Sequence, residues 1–249
     1  MLRILAWNLM HGGGPTRTAE AAIYLTTARA DVVVLSEFRA ARGSQLLAGL
    51  ADAGLTHALS ALPARGGNTV TIASRWPLRE ARAPTPGPAG RLLGVEIMSL
   101  GLFVLGVHIP DESATSARDR AWSAALGWAR LRAGNRAVVA GDFNTSREGI
   151  DPPRPGQTCA HCMGVLESLG YADAWRKTGG GTGTEKTVSW HGSRGERQRL
   201  DSVYASKSMS VHTASAWYDA TCVQFRLSDH CAVVVNFDVG APAEVARSF

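Results

Sequence analysis

Residues 136–144 read Arg-Ala-Val-Val-Ala-Gly-Asp-Phe-Asn. The first five, Arg136 to Ala140, form an apolar run of strand length, and a carboxylate and a carboxamide, Asp142 and Asn144, follow it at once. A run this apolar lacks the alternation of a half-exposed strand, so it predicts a strand covered on both faces. The same grammar recurs along the chain. Leu2 to Trp7, Asp31 to Ser36, Thr69 to Ser74, Arg91 to Met98, Leu102 to His108, Thr187 to Trp190, Leu200 to Ala205, Val211 to Trp217 and Cys231 to Phe237 are further expected strands.

Thr16 to Arg29 and Ser44 to Ala53 read as helices. The clearest helix is Thr115 to Arg132, where Trp122, Ala125, Leu126 and Ala129 share one face and Thr115 or Ser116 is expected to cap the start. Trp122 and Trp128 are expected in the core. Helices are too few for a strict alternation of strand and helix, and Arg91 to Met98 with Leu102 to His108 reads as a hairpin turning at Ser99 to Gly101. The expectation is an α/β fold of mixed sheets packed on each other with helices outside. Pro84 to Gly90, Asp151 to Gly156 and Gly179 to Gly183 read as loops too short to tether separate domains.

Composition sets outer limits. The 249 residues are 45% hydrophobic and 19% charged, with a mean hydropathy of −0.04, values of an ordinary globular chain. No apolar run approaches the roughly 18 to 20 residues of a spanning helix, and strand-like Leu2 to Trp7 begins where a leader would stand. A cytoplasmic monomer without a membrane anchor is therefore expected. The net charge of +5 favours a polyanionic or phosphorylated partner. Between Arg176 and Arg199 lie six basic residues (Arg176, Lys177, Lys186, Arg194, Arg197 and Arg199) against Glu185 and Glu196, so most of the excess is local. Four cysteines are too few for a disulfide scaffold. Cys159 and Cys162 form a C-x-x-C around His161, but the spacing of Cys222 and Cys231 matches no zinc pattern, and ordinary thiols are expected.

Polar residues at the ends of apolar strands carry the chemical information, because loops at strand ends are where rigid scaffolds present function. They are Asn8 in W-N-L, Glu37 in L-S-E-F, Asn68 in G-G-N-T, His108 in V-H-I-P, Asp142 and Asn144 in G-D-F-N, Asp201 in R-L-D-S-V-Y, and Asp229 with His230 in S-D-H. Singly, each has a plain structural role as a cap, an Asx turn or a satisfied core histidine. Seven strand ends that each offer a carboxylate, carboxamide or imidazole are hard to explain as independent turns. Together they suit phosphoester cleavage. Hard oxygen donors fit Mg²⁺ or Mn²⁺, a histidine paired with an aspartate supplies a donor for developing charge, and a further carboxylate can orient and deprotonate water.

This ordered set, from Asn8 to His230, resembles the endonuclease/exonuclease/phosphatase superfamily. The resemblance implies a four-layered α/β sandwich of two mixed, mainly antiparallel sheets, with one catalytic domain over residues 1–240 and a tail over 241–249. It implies a metal site of Asn8, Glu37 and Asp229 holding Mg²⁺ or Mn²⁺. Asp142, with Asn144, would activate the attacking water; His230, held by Asp201, would stabilise or protonate the phosphate; His108 and Asn68 would contact substrate.

The stretch G-Y-A-D-A-W-R at 170–176, with T-V-S-W at 187–190 and R-L-D at 199–201, looks like the C-terminal half of exonuclease III-type DNA repair enzymes. DNA is therefore the expected partner, gripped by Trp190, Arg197 and Arg199. Two departures stand out: His108 occupies a position where those enzymes usually carry tyrosine, and Gln198 one where they often carry a bulky residue beside the abasic sugar. A lipid or small phosphoester is the alternative substrate class, and a non-catalytic phosphate-binding scaffold the alternative of another kind.

Overall fold

A computed structural model describes residues 1–63, 66–147, 149–151, 157–178 and 187–239. Most of the two loops expected at 151–156 and 179–183, together with Glu185, Lys186 and the tail at 241–249, lies outside the described residues. Among the described residues the strands are β1 (Leu2–Asn8), β2 (Val32–Phe38), β3 (His57–Ser60), β4 (Thr69–Ser74), β5 (Leu78–Glu80), β6 (Leu92–Ile97), β7 (Leu102–His108), β8 (Arg136–Asp142), β9 (Ala172–Asp173), β10 (Trp190–His191), β11 (Arg197–Gln198), β12 (Asp201–Ala205), β13 (Thr213–Asp219) and β14 (Ala232–Phe237). The helices are α1 (Gly14–Thr27), α2 (Ser44–Asp52), α3 (Thr115–Arg132), α4 (Ala160–Ser168), α5 (Ala174–Thr178), α6 (Lys207–Ser210) and α7 (Thr221–Gln224).

Two six-stranded sheets result, one in the order β13-β14-β1-β2-β4-β3 and the other β5-β6-β7-β8-β12-β9; β10 and β11 pair separately. Each large sheet contains one parallel pair, β1 with β2 and β7 with β8. A parallel connection needs a crossover, and α1 and α3 supply it. The remaining ladders are antiparallel, so the expected mixed sandwich is the observed architecture.

Burial follows the two-residue period of the strands. Ile4 and Ala6 face inward with Val34, Ile72, Val104 and Val138 to form the core between the sheets. Leu5, Trp7, Val33 and Leu35 point the other way, against Leu25 of α1 and Leu46 and Leu50 of α2. On the second sheet Leu105, Val107 and Val139 meet Trp122 and Trp128 of α3 and Leu166 of α4. Both faces of the central strands are thus covered, which is why their sequences do not alternate.

The hairpin expected around Ser99 to Gly101 is present, with Ile97 opposite Leu102 and Gly101 at φ 56° closing the turn. Helix α3 has its expected span but not its expected cap. Neither Thr115 nor Ser116 caps it; a 3₁₀ turn at Glu112–Ala114 precedes it, where Asp111 accepts from the Ser113 N–H at 2.9 Å. The thiols of Cys222 and Cys231 are buried, and none of the four cysteines is in a disulfide.

Gly106 fixes how closely the sheets approach. A Cβ there would lie 2.6 Å from Val70 Cγ1 and 3.0 Å from Val34 Cγ1 on the opposing sheet. Gly106→Val is therefore expected to overpack the inter-sheet core and cost about 1–3 kcal/mol, read as a lower urea midpoint with an unchanged m-value.

Candidate active site

Strand register assembles one wall of the site. On the second sheet His108 stands beside Asp142 across the parallel β7–β8 ladder, and Asp201 stands opposite Asp142 across the antiparallel β8–β12 ladder. Three chemically active side chains thus end three adjacent strands in one row. The first sheet brings Asn8 at the end of β1 and Glu37 near the end of β2.

Local backbone departures aim these groups. The β2–β4 ladder shifts register between Leu35 and Phe38, and Glu37 inside that irregularity has φ 57°. Asn144 has φ 44°, a left-handed conformation that asparagine tolerates better than most residues. Its backbone N–H donates to Asp142 Oδ1 at 2.8 Å, an Asx turn. The turn holds Oδ1, while Oδ2 accepts from Asn8 Nδ2 at 2.8 Å and from Asn144 Nδ2 at 3.3 Å.

Asn8 Nδ2 donates to Asp142 Oδ2 at 2.8 Å and lies 3.4 Å from Glu37 Oε1, while its Oδ1 accepts from the Met10 N–H at 2.9 Å. Asn8 therefore meets the two carboxylates as a donor here. Glu37 Oε2 accepts from the His11 backbone N–H at 2.7 Å and from Asn68 Nδ2 at 2.9 Å, with the His11 ring also 2.8 Å away. His108 is buried, its Nε2 3.6 Å from Glu37 Oε1 and 3.9 Å from Asp142 Oδ2. His230 Nδ1 lies 2.7 Å from Asp201 Oδ2, and Asp229 Oδ1 is 4.0 Å from His230 Nε2. Trp190 Nε1 donates to Asp229 Oδ2 at 2.9 Å, and Trp190 bridges to His230 through the backbone. Glu37, Asn68, His108, Asp142, Trp190, Asp229 and His230 line a cleft of about 430 Å³, which also exposes Arg91 and Asp111.

Electrostatics divides the two histidines. Burial, reinforced by the Arg91 guanidinium, pushes His108 well below its ordinary range, so it is a neutral ring accepting from Arg91 at 2.9 Å. Burial also disfavours charge on His230, but the Asp201 carboxylate outweighs it, with Asp142 and Asp229 adding to the effect, and raises it. Burial and then the neighbouring Asp201 raise Asp142. Carboxylates crowded in a low-dielectric site resist ionising together unless a cation joins them.

The donor set suits such a cation. Asp142, Asp201 and His230 are the only group of three or more His, Cys, Asp or Glu among the described residues whose ligand atoms converge within 4.8 Å. Asp201 Oδ1 is buried without a hydrogen-bond partner. Glu37, Asp142 and Asp229 add carboxylate oxygens on the cleft, hard donors of the kind that divalent magnesium and manganese prefer.

A family model for the endonuclease/exonuclease/phosphatase family matches residues 5–230. The chain belongs to that family. Its members are metal-dependent hydrolases acting on phosphoester bonds, and this chain is such an enzyme. No curated protein sequence matches the chain. Its fold is similar to that of a 3′ phosphatase from Neisseria bound to product DNA hairpin (20% identity, TM-score 0.80, covering 96% of this chain and 100% of that one). It is also similar to an AP endonuclease from Archaeoglobus fulgidus (19%, TM-score 0.79, 96% and 100%) and to a 3′-5′ exonuclease from Neisseria meningitidis (19%, TM-score 0.76, 95% and 100%).

Of the residues singled out in the sequence, Glu37, Asn68, His108, Asp142, Asn144, Trp190, Asp229 and His230 line the cleft, whereas Asn8, Asp201 and Arg197 do not. Arg199 is a correction. It is 1% exposed, donates to Asp173 Oδ2 at 2.7 Å and to Tyr218 Oη at 2.7 Å, and lies 3.8 Å from Asp151. Arg176 is likewise buried against Asp151 and Asp173. The local charge excess counted from Arg176 to Arg199 omitted Asp151 and Asp173, which lie outside that window in sequence and inside it in space. Lys177, Arg194 and Arg197 remain exposed.

Three contributors escaped the sequence reading. His11 and Arg91 face the cleft, and the glycine run Gly12–Gly14 was the available signal for an unusual turn at His11, since Met10 through Gly14 all have positive φ. Arg118 is fully buried in α3 and donates to the carbonyls of Pro110, Asn144 and Thr158 and to Thr145 Oγ1. It clamps the loops that follow His108 and Asp142, and nothing in a helical arginine announces this.

Arg199→Met is expected to lower stability by about 3–5 kcal/mol, because it removes the closer cation from buried Asp173 and leaves only Arg176, 3.7 Å away, beside it, while KM for a phosphodiester substrate stays unchanged. Arg197→Ala is expected to leave stability within about 0.5 kcal/mol of wild type. A raised KM in folded Arg199→Met would restore Arg199 to the binding surface.

Proposed function

We propose that this enzyme is a Mg²⁺- or Mn²⁺-dependent phosphodiesterase that cleaves DNA as an endonuclease or exonuclease. The observation that carries the reading is the Asp201–His230 pair set directly behind Asp142 at the floor of an open, carboxylate-lined cleft. Glu37 and Asp229, with Asn8 at hand, would hold the metal, which when bound supplies Lewis-acid stabilisation of charge on the phosphate. Asp142, kept basic by its surroundings and held by the Asn144 N–H, orients water and takes its proton. His230, kept protonated by Asp201, donates to the developing negative charge. Asn68 and the neutral His108 face the substrate side of the cleft, and Trp190 with Arg197 stands on the hairpin beside it.

DNA as substrate is supported by the structural neighbours described above, one of them bound to a DNA hairpin, and by the net charge of +5. One observation favours a second reading, a lipid phosphodiester. An apolar hollow lined by Leu59, Ala61, Leu62, Pro86, Pro88 and Leu92 adjoins the strand end that carries Arg91, and Leu62 is 86% exposed there.

A Mg²⁺ panel of supercoiled plasmid, abasic duplex, 3′-recessed duplex, single-stranded DNA, RNA, sphingomyelin and inositol phosphates tests the choice. Cleavage of DNA, abolished by EDTA, is the expected outcome; turnover of lipid alone would select the second reading, and no turnover at all a binding scaffold. His230→Ala and Asp142→Asn are each expected to lose about 10²–10⁴ in kcat while staying folded. Wild-type rates in either would remove that residue from the chemistry.

A further inference from the structure

One sequence motif lies outside the phosphoesterase chemistry. Cys159-Ala160-His161-Cys162 opens α4, with Cys159 at the N-cap position and Cys162 one turn in. The pair is not completed into a metal group, since the described residues converge on a metal-like cluster only at the catalytic cleft. Instead the two residues close a single turn, in which the Cys162 N–H donates to the Cys159 carbonyl at 2.9 Å. Cys159 has a left-handed φ of 55°, so the spacing is that of a tight turn, whose first and fourth Cα atoms lie less than about 7 Å apart, near the span of about 4.4–6.8 Å that a disulfide bridges. Cys159 is half-buried and reachable, Cys162 buried behind it. Cys159 Sγ also lies 3.1 Å from Asp119 Oδ1 on α3, which provides a proton acceptor.

The surroundings connect this pair to the catalytic loop. Thr158, the residue before Cys159, gives its carbonyl to Arg118 at 3.2 Å, and the same guanidinium nitrogen reaches Asn144 O at 3.1 Å and Thr145 Oγ1. Glu112 grips Thr158 from the other side through its N–H and hydroxyl and pairs with Arg118 at 3.1 Å. A displacement of the 158–159 peptide is therefore felt by the clamp that sets Asn144.

We propose that Cys159 and Cys162 are a reversible disulfide-forming site, oxidised by low-molecular-weight disulfides, whose closure slows the enzyme by loosening the Arg118 clamp on Asn144. In the first step Cys159 Sγ loses its proton to Asp119 and attacks the disulfide RSSR; a Cys159–SR bond forms and RS⁻ leaves, taking up the proton as RSH. Cys162 Sγ then attacks Cys159 Sγ, its own proton going to the second departing RS⁻. Two protein thiols are oxidised to one disulfide and one RSSR is reduced to two RSH. Closure pulls Cys159 Sγ from Asp119 and draws the peptide that holds Arg118. Burial keeps both thiols protonated near neutral pH, pushing Cys162 up to about 12, so the reduced pair is the resting form and exchange is slow.

The activity readout rests on the phosphoesterase reading; the thiol and exchange readouts do not. The full chain, equilibrated with oxidised glutathione and then mapped by peptide mass, is expected to lose two hydrogens from the peptide holding residues 159–162 and to regain them with dithiothreitol. In the oxidised form, backbone hydrogen exchange should rise at residues 143–146 and kcat should fall by roughly threefold or more. Cys159→Ser and Cys162→Ser should retain the reduced enzyme's kcat and ignore the oxidant. The proposal is overturned if the pair stays reduced, if it stops at a glutathione adduct, or if the disulfide forms with exchange at 143–146 unchanged. Should no phosphoester be turned over, mass mapping and exchange still decide it.

Discussion

A single hydrogen bond, Asn8 Nδ2 to Asp142 Oδ2 at 2.8 Å, ties the end of β1 in one sheet to the end of β8 in the other. Both residues are about 1% exposed, so the bond forms where water does not compete. Around it the two sheets must hold a fixed separation, which the small Gly106 and the valines facing it set. If β8 slipped by one residue in its ladders with β7 and β12, its inward side chains would turn outward, and Asp142 would lose both Asn8 and its place opposite Asp201. Catalytic geometry is thus a consequence of inter-sheet packing.

The buried charges illustrate the same dependence. Arg118, Arg176 and Arg199 are each almost fully enclosed, and each is offset by carboxylates or carbonyls drawn from distant parts of the chain. Such groups contribute little net stability and instead fix orientation, because any arrangement that breaks them leaves a bare charge in the interior. Arg199 also donates to Tyr218, whose hydroxyl in turn donates to the carbonyl of Asp201. A residue that reads as a phosphate fork in the sequence therefore serves as a strut behind Asp201.

Catalytic loops here are held by a few hubs. Arg118 joins the segments following His108 and Asp142 to the start of α4, and Glu37 gathers Asn68 and the turn at His11. Among the described residues, five of the seven non-glycine residues with positive φ stand at these places, Met10, His11, Glu37, Asn144 and, beside the Arg118 clamp, Cys159; the other two are Arg29 and Arg226. A strained residue persists only where its neighbours over-determine it; Glu37 is held by the His11 N–H and Asn68, and Asn144 by Asp142 and the Ile109 carbonyl.

The sequence by itself pointed to mixed sheets packed on each other, because runs such as Ala137 to Ala140 are apolar at every position and only a strand covered on both faces satisfies that. It also determined which residue types stand at strand ends, since those positions follow directly from where each run stops. It could not place the short elements β3, β5, β9 and β11 or helices α5 to α7, whose few residues carry too little periodicity to read, nor did it place α4. Nor could it separate Arg197 from Arg199, two residues apart on neighbouring positions of one segment. That distinction depended on Asp151 and Asp173 folding onto Arg199 from outside the window, and a charge is neutralised by what is near it in space, not in sequence.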